Sequence, residues 1–190
     1  MPVNTANPNI KHVFVLMLEN RSCDHMLGFL NTNISQYNNV YNGTSYNAKK
    51  PALDIMPDDP KHEFEDVMEQ LCGKVAMRAY QRNGIYPEIN NSGFVSSYAD
   101  IVQGHNNQGY VGEIMNCYDT VSQLPVMAAL ANEFAVCNQW YSSLPGPTWP
   151  NRFFVHAASS AGLDRSPKVG ELIKWNLLKG FSFPKGTIFH

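Results

Sequence analysis

An α/β fold with a largely parallel sheet flanked by helices is what this 190-residue sequence predicts, and three observations carry the prediction. Residues 10–18, Ile-Lys-His-Val-Phe-Val-Leu-Met-Leu, form a short apolar run rich in β-formers, as a strand buried on both faces does. Residues 122–160 alternate helix, strand, polar loop and helix, the order of elements in an α/β chain. Each predicted strand also ends in a polar cluster, and open α/β sheets gather ligands beyond the carboxyl ends of their strands.

The elements follow in order. Residues 1–9 read as a polar, Asn/Pro-rich extension, and residues 10–190 as a single domain. After the first strand, residues 31–60 abound in Asn, Tyr, Gly, Pro and Asp without sustained periodicity, which predicts surface loop with at most short hairpin strands. From His62, the apolar residues Phe64, Val67, Met68, Leu71 and Cys72 recur at spacings of three and four, a helix ending at Gly73 and starting near Asp58, Asp59 and Pro60. Residues 93–102 predict a second helix, followed by a turn over 104–109, and residues 122–131 a third, capped by Ser122 with Pro125 in its first turn. Phe134-Ala-Val-Cys137 predicts the second strand. A helix running through Phe153, Phe154 and Ala157 then starts near Pro150.

Composition narrows the function classes. With 44% hydrophobic and 12% aromatic residues the chain suits one well-buried domain. Fourteen Lys+Arg against 16 Asp+Glu give a net charge of −2, so no global field favours nucleic acid or an anionic membrane, although a local patch stays open. The apolar run over 13–18 is far short of the roughly 20 residues a spanning helix needs. The start lacks the basic and apolar regions of a secretory signal, and this leaves the compartment undetermined. Cys23, Cys72, Cys117 and Cys137 form no CxxC pair or zinc-type cluster and are expected as buried free thiols rather than disulfides.

Two polar clusters carry the chemistry. Glu19-Asn20 sets a carboxylate beside an amide, both hard oxygen donors for a divalent cation; the alternative is a helix start in which Ser22 caps and Asp24 complements the dipole. In Leu144-Pro-Gly-Pro-Thr148-Trp-Pro-Asn151-Arg152, a rigid turn sets Thr148 near a helix N-terminus, where free N–H groups favour an anion. A hydroxyl there attacks phosphorus once a metal or base lowers its pKa, and Arg152 offers a planar donor for phosphate. The alternatives are a capping threonine and an arginine paired with a nearby acid.

Taken together, the residues from Glu19 to Gly28 resemble the ENRSFDHMLG signature of the phosphoesterase family that includes bacterial and plant non-specific phospholipases C and certain acid phosphatases. The segment from Pro145 to Arg152 is similar to that family's TxPNR signature, and Asp59-Pro-Lys-His62, Ser92-Gly-Phe94 and residues 124–134 recur in the same order. The resemblance implies an alkaline-phosphatase-like fold and hydrolysis of a phosphoester through a phosphoryl-threonine. In it Thr148 takes the nucleophile position and His62 that of an active-site histidine. Glu19 and Asn20, with Thr148, take metal positions; the cation is divalent, with calcium, zinc and magnesium all compatible. Asn151 and Arg152 support the nucleophile loop or bind phosphate. The implied partners are a phosphoester, with a phospholipid head group among the candidates, and secretion or a periplasmic location accords with the resemblance. Trp140, Tyr141 and Trp149 are candidates for a head-group pocket, though such clusters are more often core. His156, one turn beyond Arg152, is expected to pack or to stand behind the site. Cys23 replaces the family's usual Phe and is expected to be buried.

Family members run on to a segment resembling DExGGxYDHV and to later histidines that this sequence does not contain, so it is expected to be the N-terminal part of such an enzyme, doubtful in activity alone. The alternative is a non-catalytic phosphate- or lipid-binding module.

Overall fold

The computed structural model describes residues 9–19, 21–30 and 34–177, and the backbone at 182–183 and 186–187. Asn20 lies outside the described residues, as do residues 1–8 of the predicted extension. Helices dominate: α1 (Cys23–Leu27), α2 (Phe64–Cys72), α3 (Lys74–Asn83), α4 (Phe94–Gly104), α5 (Thr120–Gln123), α6 (Pro125–Glu133), α7 (Thr148–Ala157) and α8 (Val169–Leu177). Two antiparallel pairs accompany them, β1 (Asn38–Tyr41) with β2 (Thr44–Asn47), and β3 (Ser182–Phe183) with β4 (Gly186–Thr187).

Helix α4 is the hub. Its Val95, Tyr98, Ala99 and Val102 are buried with Val111 of the following 3-10 helix (Gln108–Met115), and Tyr41 and Tyr46 of the hairpin pack on them. The residue before α4 is Gly93, which has no side chain with which to cap. The buried Asn39 of β1 substitutes: its Oδ1 accepts from Val95 N at 3.2 Å, and its Nδ2 donates to Asn91 O at 2.9 Å. This satisfies an orphan helix donor from a distant element. Gly93 is there for closeness, since a Cβ would overlap the Glu69 carbonyl oxygen and lie 2.8 Å from its carbon, where α2 ends against α4.

The hairpin closes on Asn42-Gly43, both at positive φ, in the two-residue turn that this dipeptide favours. Helix α2 is closed by Gly73 as its periodicity predicts, but is capped by Glu63 rather than near Asp58, because Asp66 Oδ2 accepts from Glu63 N at 3.2 Å. Asp58 is used elsewhere, as acceptor from His105 Nδ1 at 2.6 Å and Asn107 Nδ2 at 2.7 Å. The third predicted helix divides at Leu124 into α5 and α6, with Pro125 opening the second.

The structure differs from the predicted sheet. Residues 11–18 and 134–137 are extended without a ladder, and no parallel sheet forms among the described residues; the parallel contact there is an isolated bridge between Lys49 and Asn116. Val13 is 81% and Phe14 91% exposed, Val15, Leu16 and Leu18 are exposed to a similar degree, and Met17 is half-buried. An apolar run becomes a buried strand only when neighbours supply hydrogen bonds on both edges, and the described residues put none there. His12, expected to bond backbone within that strand, is exposed. The cysteines are free thiols, Cys72 and Cys117 buried but Cys23 and Cys137 exposed, so the Cys23 replacement does not act through core packing.

Candidate active site

Helix α7 is built around the turn that precedes it. Pro147 is its N-cap residue and Thr148 its first helical residue; Pro150, which lacks an N–H, stands where the helix start has no internal use for one. Asn151 reaches back over the turn: its Nδ2 approaches Leu144 O at 2.9 Å, Pro147 O at 3.1 Å and Gly146 O at 3.2 Å, and its Oδ1 accepts from Leu144 N at 3.0 Å. One side chain thus ties the Leu-Pro-Gly-Pro turn to the helix whose first residue is Thr148.

The back of α7 is anchored by apolar packing. Phe153 is buried with Leu163 and Trp175 of α8, and Trp149 meets the Phe153 ring edge-on at 5.8 Å between centroids. On the outer side Thr148, Trp149, Arg152, Phe153 and His156 line a cleft of about 460 Å³. Thr148, Arg152 and His156 recur every four residues and form one stripe along the helix. His156 is exposed and borders the cleft rather than packing behind it; the four-residue spacing from Arg152 was the signal.

The two sequence clusters meet here. Arg152 Nε donates to Glu19 Oε1 at 2.8 Å across 133 positions of chain. Glu19 is thereby held beside the face of α7 that carries Thr148, although no strand places it there. Behind Glu19, Ser22 Oγ accepts from His25 N at 3.1 Å and Asp24 stands in the first turn of α1, so the capping alternative is realised too. Helix α1 is tied down by Thr120 Oγ1 donating to Met26 O at 2.7 Å and Tyr118 N to His25 O at 2.9 Å. The His25 ring stacks on Tyr118 at 4.9 Å, and Arg21 Nη1 lies 3.4 Å from its Nδ1. Burial, with the Arg21 charge adding to it, lowers the His25 pKa to about 4, so the ring is neutral near pH 7. A guanidinium only donates, so Nδ1 accepts and the proton sits on Nε2.

His62 is exposed, with Nδ1 3.2 Å from Pro60 O and 3.9 Å from Asp59 Oδ2. A carbonyl only accepts, so Nδ1 donates in the contact with Pro60 O. Two residues on, Phe64 backs the turn before α7, for a Cβ on Gly146 would lie 3.7 Å from Phe64 Cα. Glu63 Oε2 also accepts from Ser166 N at 3.1 Å, joining α2 to the segment after α7. Trp140 and Tyr141 are exposed and do not line the cleft, whereas Trp149 does. His105 is bound to Asp58 and does not line the cleft. Among the described residues no three His, Cys, Asp or Glu side chains cluster as a metal site would have them.

This constellation has a family. The description "Phosphoesterase family" matches residues 10–185, nearly the whole chain. The chain belongs to the phosphoesterase family. Among similar proteins, non-specific phospholipase C3 of Arabidopsis thaliana is 35% identical over 204 residues, covering 98% of this chain and 35% of that protein. Non-specific phospholipase C6 of the same plant is 34% identical over 189 residues, covering 95% and 32%. Phospholipase C B of Mycobacterium tuberculosis is 27% identical over 171 residues, covering 86% and 33%. The phosphoesterase chain therefore spans about a third of the length of these relatives.

Proposed function

We propose that this phosphoesterase chain carries the nucleophile and part of the metal site of a phospholipase C-type or acid phosphatase-type phosphoester hydrolase. The observation that carries the reading is the Arg152–Glu19 contact, which brings a carboxylate from one cluster to the helix face on which the other presents a threonine. In the reaction, Thr148 Oγ attacks phosphorus, the bond to the leaving alcohol breaks, and water later releases the phosphoryl group from threonine. The helix N-terminus supplies N–H groups and a positive dipole end to the phosphoryl oxygens, and Arg152 adds a charged donor. His62, an exposed imidazole whose Nδ1 is held at Pro60 O, is suited to move a proton at the leaving or entering oxygen. Asn151 holds the turn so that the hydroxyl keeps its place.

Glu19, Thr148 and Asn20 are the residues that would hold a divalent cation. The described donors are a carboxylate and a hydroxyl, hard oxygens that fit calcium, magnesium or zinc in kind but not in number, since calcium takes about six to eight. When bound, such an ion polarises a phosphoryl oxygen and stabilises the threonine alkoxide. The alkaline-phosphatase-like parallel sheet belongs to the same proposal; the largely exposed apolar segments 11–18 and 134–137 support it, the first running directly into its motif and the second preceding its motif by six residues. The shortage of described donors favours, as a second reading, a module that binds phosphate without turning it over.

The test is hydrolysis of p-nitrophenyl phosphate and p-nitrophenyl phosphorylcholine by the wild-type, Thr148→Ala and Thr148→Ser proteins. Loss in the alanine variant, partial activity in the serine variant and a phosphorylated Thr148 in acid-quenched reactions are expected. Near-normal kcat in Thr148→Ala overturns the nucleophile assignment.

A further inference from the structure

His156 has no part in the phosphoryl transfer described above, yet it lines the same cleft as Thr148 and Arg152. A helix rises about 1.5 Å per residue, so each member of this stripe lies about 6 Å beyond the last, and His156 about 12 Å beyond Thr148. Helical side chains lean toward the N-terminus, which carries the imidazole back over the turn of Arg152. A phosphoryl group within reach of Thr148 and Arg152 therefore leaves about one helical turn, about 5 Å, between itself and His156. That is the length of a short alcohol, not of a bare phosphate.

The cleft changes character along its length. Phe153 is buried and Thr148, Trp149 and Arg152 are half-buried, whereas His156 is exposed. A group lying against His156 thus keeps water on one side, which suits a hydrophilic substituent and not an acyl chain. The described residues that line the cleft bring one guanidinium, one imidazole and two aromatic rings, and no carboxylate. Glu19, the carboxylate at Arg152, is already paired with it. A neutral imidazole both donates and accepts, and a hydroxyl answers both. A trimethylammonium answers neither, and the fixed charge of Arg152 opposes it. Trp149 gives the carbon skeleton of a small alcohol an apolar wall.

In-line displacement says which part of a phosphodiester lies there. The Thr148 Oγ–phosphorus bond forms as the bond to the departing alcohol breaks, with net transfer of the hydroxyl proton to the departing oxygen. The departing oxygen stands opposite Oγ, while the alcohol that stays on phosphorus projects sideways. Sideways along α7 are Arg152 and then His156. We propose that His156 and Trp149 form a head-group subsite, with His156 the specificity-determining residue, and that it selects a hydroxylated head group such as glycerol over a quaternary ammonium. The proposal deepens the hydrolase reading and rests on it.

The experiment compares p-nitrophenyl phosphate, p-nitrophenyl phosphorylglycerol and p-nitrophenyl phosphorylcholine as substrates of the wild-type, His156→Ala and His156→Gln proteins. Wild type is expected to show the higher kcat/KM on the glycerol diester than on the choline diester. His156→Ala is expected to lower the ratio of kcat/KM on the glycerol diester to that on p-nitrophenyl phosphate about fivefold, the worth of one hydrogen bond, with the change in KM. His156→Gln, which keeps a donor and an acceptor, is expected to restore most of it, and far-UV circular dichroism to stay the same in both variants. A wild-type preference for the choline diester, or an unchanged ratio in His156→Ala, overturns the subsite. If wild type hydrolyses none of the three, the hydrolase reading fails, and the subsite is judged by calorimetric binding of glycerol phosphate and inorganic phosphate. Tighter binding of glycerol phosphate that His156→Ala removes then supports it, and equal affinity for the two, or no binding of either, overturns it.

Discussion

Replacing Asn151 with alanine removes the tie between the Leu144–Pro147 turn and α7, and the structure sets the size of the effect. The amide spreads two N–H donors over three carbonyls, of Leu144, Gly146 and Pro147, and accepts from Leu144 N. Counted by its hydrogens the side chain makes three bonds, each worth about 1 kcal/mol net, so Asn151→Ala should cost about 2–3 kcal/mol. Water reaching the half-buried site after truncation places the figure toward the lower end. Aspartate is the sharper probe because it keeps the acceptor for Leu144 N but turns a second oxygen toward the three carbonyls. At neutral pH Asn151→Asp should therefore be no more stable than the alanine variant, and part of the loss should return when acid protonates the carboxyl and restores one donor. Urea unfolding followed by the fluorescence of Trp149, within this helix, and Trp175, packed against it, measures all three proteins. If Asn151→Ala stays within about 0.5 kcal/mol of wild type, the turn is held by its prolines and the role given to Asn151 is wrong.

Three further outcomes are expected. Glu19→Gln should change stability by less than about 1 kcal/mol, because the Arg152–Glu19 pair is 40% and 33% exposed, yet it should abolish hydrolysis; wild-type turnover in that variant would remove Glu19 from the site. Gly93→Ala should destabilise by about 3 kcal/mol or more, as its Cβ meets backbone of Glu69 rather than a movable side chain, and an unchanged thermal melt would contradict that packing. His25, with its pKa lowered to about 4 from 6.5, binds fewer protons folded than unfolded, so its contribution to stability is complete above pH 6.5 and is lost as pH falls toward 4. Discounted for the ring's partial exposure, the loss is about 1–2 kcal/mol, and His25→Phe should flatten the stability profile in that window; an unchanged slope refutes it.

Where a sequence signal was complete in itself, the structure follows it. Asn42-Gly43 closes a hairpin because two consecutive positive φ angles are what that dipeptide tolerates, and Gly73 ends α2 at φ +81. Helix α3 was not legible for the same reason: Gly73 reads as a stop, and here it is also the residue from which the next helix starts. The beginning of α2 was misplaced because three acids, Asp58, Asp59 and Glu63, all suit a helix start, and only the tertiary demand of His105 and Asn107 on Asp58 decides among them.

The candidate site divides along the same line. Pro147, Thr148 and Asn151 lie within five residues, and their geometry follows from a proline turn and one reaching amide, so the cluster is readable locally. Glu19 is not local. Its place was expected from a shared sheet edge, yet the structure brings it to α7 through Arg152, the residue whose alternatives were phosphate binding and pairing with an acid. These alternatives are compatible: a guanidinium that pairs with Glu19 through Nε keeps its two terminal nitrogens for a phosphoryl oxygen. On the proposed metal reading, a cation at Glu19 would either share the carboxylate with Arg152 or displace it.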